Sequence, residues 1–142
     1  IMGQASRTEV FDVEIDKLYN AIINYESYPE FVDGVNKVNV IQKSDDSAEI
    51  EYSLNMIKEF KYTLKLEQNY PSKVTWDLKS GDLFKSNSGE WSLVDLGNGK
   101  TEVTYNIDVD FKVFAPKMIV NKLVSNNLPA MMNSFKERAL AQ

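Results

Sequence analysis

The sequence predicts an α+β fold: an antiparallel sheet of about six or seven strands, with a long C-terminal helix covering one face. Two observations predict it. Apolar and polar residues alternate with period 2 through the middle of the chain, and helical patterns occur only towards the two ends. Explicit turn residues between the alternating runs make the strands neighbours joined by short connections.

The elements follow in order. A first strand fits Ser6–Val13. Asp16 offers an N-cap for a short helix to Asn24, with Leu18, Ile22 and Tyr25 on its inner face. Tyr28-Pro29-Glu30-Phe31-Val32 reads as a second helical turn, with Pro at its start and Gly34 beyond its end. A weaker strand lies near Val35–Ile41. Ala48, Ile50, Tyr52, Leu54 and Met56 then alternate with Glu49, Glu51, Ser53 and Asn55. Phe60, Tyr62, Leu64 and Leu66 alternate with Lys61, Thr63 and Lys65, and Val74, Trp76 and Leu78 with Thr75 and Asp77. After a weaker strand at Ser88–Leu96, Val103, Tyr105, Ile107, Val109 and Phe111 alternate with Thr104, Asn106, Asp108 and Asp110. Successive strand side chains point to opposite faces, so each strand has one wet and one apolar face.

Ser44-Asp45-Asp46-Ser47 and Asn69-Tyr70-Pro71-Ser72 separate two of the strand pairs. Leu96-Gly97-Asn98-Gly99-Lys100 is a hairpin turn whose Gly and Asn residues suit positive φ. Met56-Ile57-Lys58 is a tighter link. Pro116 fits the first position of the last helix, which runs to about Ala141. Ile119, Leu123, Asn127, Met131 and Phe135 fall four apart on one face, flanked by Val120, Val124, Leu128 and Met132. Pro129 lies inside this run; it removes a backbone donor, which predicts a kink near Ser125–Asn126.

Composition narrows the chemistry. The 142 residues hold 16 Lys plus Arg against 21 Asp plus Glu, a formal net charge of −5, with no His and no Cys. There is thus no imidazole base, no thiolate nucleophile and no His- or Cys-ligated metal. Catalysis is left to carboxylates, Lys, Tyr and hydroxyls, and a metal to oxygen ligands. The acidic balance argues against a large nucleic-acid footprint. No apolar run reaches the length of a membrane span, and the segment to Val10 lacks the apolar stretch of a signal peptide. Met2 is expected to be the native start, and the cytoplasm is the expected compartment. One domain over residues 1–142 is expected, because no linker or repeat interrupts the chain. No cofactor is expected.

Several marks lie in a telling order. Tyr28-Pro29-Glu30-Phe31-Val32 follows the first helix, Trp76 lies on a middle strand and Gly89-Glu90-Trp91-Ser92-Leu93 on the next. Phe135-Lys136-Glu137-Arg138-Ala139 ends the last helix. Over nearly the whole chain these marks resemble the START-like superfamily with the helix-grip fold. They are most similar to its branch of polyketide cyclases/dehydrases, lipid transport and coenzyme Q-binding proteins. The resemblance implies a strongly curved sheet gripping the C-terminal helix, with a cavity between them. Members mostly hold apolar or amphipathic small molecules there, some cyclise or dehydrate polyketides, and one relative associates with ribosomes.

The inward face supplies the candidate ligand-binding residues. On the strands these are Tyr52, Leu54, Phe60, Tyr62, Leu64, Trp76, Trp91, Tyr105 and Ile107; on the last helix they are Asn127, Met131 and Phe135. Such residues serve equally as plain core or as an aromatic lining in which a few phenols and indoles orient a ligand. Buried Tyr hydroxyls need partners, which a ligand can supply. Asn127 either turns to solvent or faces a polar part of the cavity, since an unpaired buried amide costs about 1–3 kcal/mol. Met118, Met131 and Met132 suit either gap-filling or a flexible apolar guest. Leu83 and Phe84, at the tip of the Ser80–Lys85 loop, are candidate lid residues unless they tuck under the sheet edge. Phe31, Val32 and Phe114 are further rim candidates.

The carboxylate pairs Asp45-Asp46, Glu49/Glu51 and Asp108/Asp110 fall in turns or on wet faces, opposite Lys61, Lys65, Lys79 and Lys112, and read as solvated charge. With no charged residue expected inside, the sequence favours a non-catalytic binder or carrier of a lipid or polyprenyl quinone. A polyketide aromatase/cyclase or dehydratase using Tyr phenols is the alternative. A ribosome- or protein-interaction module, with a basic patch around Lys117 and Lys122, is the third reading. Expected partners are a hydrophobic small molecule and a transient membrane surface, without nucleic acid, for a monomer or weak dimer.

Overall fold

The computed structural model describes residues 2–112, 116–123 and 127–142. Phe114, Val124 and the predicted kink at Ser125–Asn126 lie outside the described residues, as do the side chains of Ile119, Lys122 and Leu123. The elements are β1 (Met2–Phe11), α1 (Ile15–Ile23), a 3-10 turn (Tyr25–Ser27), α2 (Tyr28–Phe31), β2 (Val35–Lys43), β3 (Ser47–Met56), β4 (Lys58–Asn69), β5 (Lys73–Gly81), β6 (Phe84–Gly97), β7 (Lys100–Phe111), α3 (Lys117–Leu123) and α4 (Leu128–Leu140).

The seven strands form one antiparallel sheet in the order β1-β7-β6-β5-β4-β3-β2. The register follows from the alternation. On β3 and β4, Ala48 faces Leu66, Ile50 faces Leu64, Tyr52 faces Tyr62 and Leu54 faces Phe60. A slip of one residue would turn this apolar row to water, so burial itself fixes the pairing. The β6–β7 connection is the expected one: Gly97, Asn98 and Gly99 all have positive φ, at 81°, 56° and 74°.

Three expectations are corrected. The first strand runs Met2–Phe11, not Ser6–Val13, because β7 pairs with it all the way from Asp110 opposite Met2 to Thr101 opposite Phe11. Backbone pairing extends this edge strand beyond its own side-chain pattern. Helix α1 begins after Glu14 and Asp16 lies in its first turn, with no side-chain cap; a carboxylate there still favours the positive helix end. The single C-terminal helix is described as two, α3 and α4. Asn127 occupies the N-cap of α4 and Pro129 its first turn, where a missing N–H costs nothing.

Helix α1 buries Leu18, Tyr19, Ala21 and Ile22, while α4 buries Leu128, Met132, Phe135 and Ala139 at helical spacing. One cluster joins both helices to the sheet's inner face. The outer face is polar, with Lys79 paired to Glu49 at 2.8 Å and Lys73 to Glu90 at 3.2 Å. These exposed pairs add little stability.

A buried tie fixes the entry to α1. Thr101 on β7 is fully buried and donates from Oγ1 to the Val13 carbonyl at 2.7 Å. Thr101→Val keeps the shape and removes that donor. We expect a loss of about 1–3 kcal/mol in urea unfolding, the cost of an unpaired buried polar group. An unchanged midpoint would show that the tie contributes nothing.

Candidate functional site: an aromatic-lined cavity

A cavity of about 270 Å³ lies between the sheet and α4. Its walls come from β3 (Tyr52, Leu54), β4 (Tyr62, Leu64, Leu66), β5 (Val74, Trp76), β6 (Phe84, Asn87, Trp91) and β7 (Tyr105, Ile107). The first helical region adds Ile22, Tyr25 and Tyr28, and α4 adds Asn127, Leu128, Met131, Ser134 and Phe135. The mouth lies where the more exposed lining residues gather, at Val32, Asp33 and Val35 and opposite them at Asn127, Ala130 and Met131.

The aromatic rings form a continuous chain around the cavity wall. Phe84 meets Tyr62 edge-on at 5.0 Å, and Tyr62 stacks on Tyr52 at 5.3 Å. Tyr52 leads to Tyr28 at 6.1 Å, Tyr28 to Phe135 at 5.3 Å, and Phe135 to Trp91 at 5.0 Å. Tyr105 lies 4.8 Å from Trp91 and 5.5 Å from Trp76. The chain of rings ends at Trp76, whose Nε1 donates to Asn87 Oδ1 on β6 at 3.0 Å. Ring contacts of this kind add about 0.5–1.5 kcal/mol each beyond area burial. The chain of rings therefore makes a stiff wall rather than a collapsible one.

The polar groups divide into two sets. Tyr25 and Tyr28 are committed to the protein: Tyr25 donates to Gln68 Oε1 at 2.8 Å and Tyr28 to the Ile22 carbonyl at 2.6 Å. Among the described residues, the hydroxyls of Tyr52, Tyr62 and Tyr105 make no hydrogen bond. Burial pushes these phenols up from their usual range, well up for Tyr28 and Tyr52, and the neighbouring phenols push Tyr28, Tyr52 and Tyr105 the same way. All stay neutral near pH 7, so they donate or accept hydrogen bonds without giving up a proton.

This has a measurable consequence at alkaline pH. Below about pH 10 the phenols are protonated in both the folded and the unfolded chain. Above it the unfolded chain releases protons that the folded chain keeps, so stability falls as pH rises. We expect the phenolate absorbance of Tyr25, Tyr28, Tyr52, Tyr62 and Tyr105 to appear together with alkaline unfolding. Titration of these groups near pH 10 with the fold intact would contradict the buried arrangement.

Most residues expected at the site line the cavity: Tyr52, Leu54, Tyr62, Leu64, Trp76, Trp91, Tyr105, Ile107, Asn127, Met131 and Phe135, with Val32 at the mouth and Phe84 in the wall. Others do not. Phe60 is buried at the hairpin end of β4, with Lys58 Nζ over its ring, and is outside the lining. Phe31 backs Phe135 and Tyr28 from behind. Leu83 and Phe84 are 1% and 3% exposed, so neither stands at an open loop tip; β6 begins at Phe84 and draws both beneath the sheet edge. Phe114 lies outside the described residues.

Other lining residues were missed, among them Tyr25, Tyr28, Ser134 and the two that most change the chemistry, Asp33 and Asn87. Asp33, exposed, places a carboxylate at the mouth, against the expectation of a wholly uncharged lining. Asn87, 5% exposed, sits just before the strand start expected at Ser88. The signal for it was present: Asn87, Gly89, Trp91 and Leu93 share one period-2 frame. Among the described residues, no group of three or more Asp or Glu is placed to hold a metal, and no helix is long and apolar enough to cross a membrane.

A curved antiparallel sheet closed over a C-terminal helix, with an aromatic cavity between them, defines the helix-grip class of ligand-pocket proteins. The chain belongs to the family described as polyketide cyclase / dehydrase and lipid transport, whose profile matches residues 11–136. Solved structures share the fold at low identity. A Thermus thermophilus protein, TTHA0849, superposes with a TM-score of 0.82 at 14% identity, covering 97% of each chain. A START superfamily protein from Mycobacterium smegmatis gives 0.78 at 17% identity over 98% of each chain. The Zhui aromatase/cyclase from Streptomyces sp. R1128 gives 0.70 at 14% identity, over 99% of this chain and 88% of that one. No curated protein matches the sequence.

Proposed function

We propose that this chain, acting as one unit, binds and carries a hydrophobic small molecule of the lipid or polyprenyl quinone class in its internal cavity, without transforming it. The observation that carries this reading is the chain of aromatic rings lining about 270 Å³, near the lower bound of ordinary ligand pockets. Among the described residues, the lining holds neutral phenols, indoles and amides, and one carboxylate, Asp33, at the mouth. General acid–base chemistry needs a group tuned near the working pH, and burial drives these phenols away from it. The family description names lipid transport beside cyclase and dehydrase activity, and a carrier is the member of that set these residues suit. The reading includes a cytoplasmic monomer or weak dimer that meets a membrane surface only while loading or releasing its ligand.

Solvent extraction of the purified protein, followed by mass spectrometry, is expected to release a bound apolar molecule. Ligand-free protein is expected to take up quinone or fatty-acid probes. Protein that is both empty and unable to bind these probes would sink the carrier reading. Turnover of a polyketide model substrate, abolished by Tyr→Phe changes at Tyr52, Tyr62 and Tyr105, would establish the cyclase alternative instead.

A further inference from the structure

We infer that Asn87 sets the cavity's ligand specificity, presenting a fixed hydrogen-bond donor that selects flat ligands bearing a carbonyl oxygen over plain hydrocarbons. This rests on the carrier reading above and names the ligand chemistry that the same cavity takes.

The argument starts from the indole. Trp76 Nε1 can only donate, and it donates to Asn87 Oδ1 at 3.0 Å inside the core. The amide oxygen must therefore face the indole, which fixes the orientation of the whole side chain. The Asn87 NH2 group then points elsewhere, and among the described residues it has no partner. Asn87 is 5% exposed to solvent yet lines the cavity, so the donor is available to a guest and shielded from bulk water.

The surroundings hold this geometry. Asn87 pairs with Val109 across β6 and β7, on the sheet's inner face. Gly89, two residues on, leaves the space in which the Trp76 ring lies. Tyr105 lies against that ring at 5.5 Å. A donor locked in place beside flat aromatic walls fits a flat molecule whose carbonyl points at Asn87: a quinone or an aryl ketone. A hydrocarbon of the same shape fills the same walls and leaves the NH2 unsatisfied, which costs affinity.

The test uses menadione and its hydrocarbon counterpart methylnaphthalene, titrated calorimetrically into the full chain. We expect menadione to bind roughly 5- to 10-fold more tightly, the range one neutral hydrogen bond supplies. Infrared difference spectra should show the bound quinone's carbonyl stretch lowered by hydrogen bonding. In Asn87→Leu the two affinities should converge while methylnaphthalene still binds, and the carbonyl stretch should return to its position in an apolar solvent. Asn87→Asp keeps an acceptor for Trp76 and removes the amide donor; at a pH where it is ionised, menadione should bind no better than methylnaphthalene. Equal affinities in the parent protein, or a preference that survives both substitutions, would overturn the assignment and leave the carrier reading standing. Failure of the parent to bind either probe counts against both.

Discussion

Phe135→Ala is expected to lower stability by about 3–5 kcal/mol. Phe135 is 2% exposed and lies on α4, where its ring meets three others. Tyr28 stands at 5.3 Å, Phe31 at 5.0 Å and Trp91 at 5.0 Å. It thereby joins α4 to α2 and to β6 at once. Truncation removes these contacts and opens a void in a wall whose other rings are locked by their own neighbours, so collapse into the space is limited. The check is the urea midpoint with an unchanged m-value. Phe135→Leu should retain much of the packing area and cost less. A loss for the alanine variant of under about 1 kcal/mol would mean that the wall relaxes, contrary to the stiff chain of rings. Because Phe135 also lines the cavity, a bound apolar ligand should restore part of the loss by binding the folded state alone.

Gly89→Ala is expected to cost about 1–3 kcal/mol and to weaken ligand binding as well. A Cβ at Gly89 would stand 2.1 Å from Trp76 Cζ2, 2.6 Å from its Cε2 and 2.5 Å from the Asn106 carbonyl oxygen. Neither obstacle yields cheaply. The indole is tied to Asn87 and flanked by Tyr105, and the Asn106 carbonyl belongs to the β7 backbone beside it. The indole must therefore shift towards the cavity, which reduces room for a guest. Chemical denaturation and probe titration measure the two effects. Combining Gly89→Ala with Trp76→Leu should reduce the cost of the glycine substitution while leaving the part due to the Asn106 carbonyl, and that coupling measures the ring's share. A single variant as stable as the parent would show that the close approach carries no constraint.

Much of the site was legible because a strand displays its faces in its sequence. Tyr52, Tyr62, Trp76, Trp91 and Tyr105 occupy inward positions of strands with clean alternation, and each lines the cavity. The resemblance to helix-grip proteins supplied the cavity; the alternation supplied its wall. What failed lay at strand ends and in short links, where alternation gives no information. Leu83 and Phe84 follow a Ser-Gly-Asp stretch that reads as a loop, yet β7 pairs with β6 as far as Phe84 opposite Phe111 and carries them inward. Phe60 satisfies the inward pattern but sits at the hairpin end of β4, away from the lining. Asp33 sits in a link between α2 and β2, where only the chain's path brings it to the mouth.

Local pattern specified the class of fold, the inward side chains of the cleanly alternating strands and the exclusion of imidazole and thiolate chemistry, because periodicity and absent residue types are local properties. The packing of the whole chain brings the rings into one continuous wall, carries Asp33 to the rim and turns the Asn87 amide oxygen to Trp76. Each of these depends on residues far apart in the chain meeting in space, and hydrogen-bond direction and ring contact exist only once they have met.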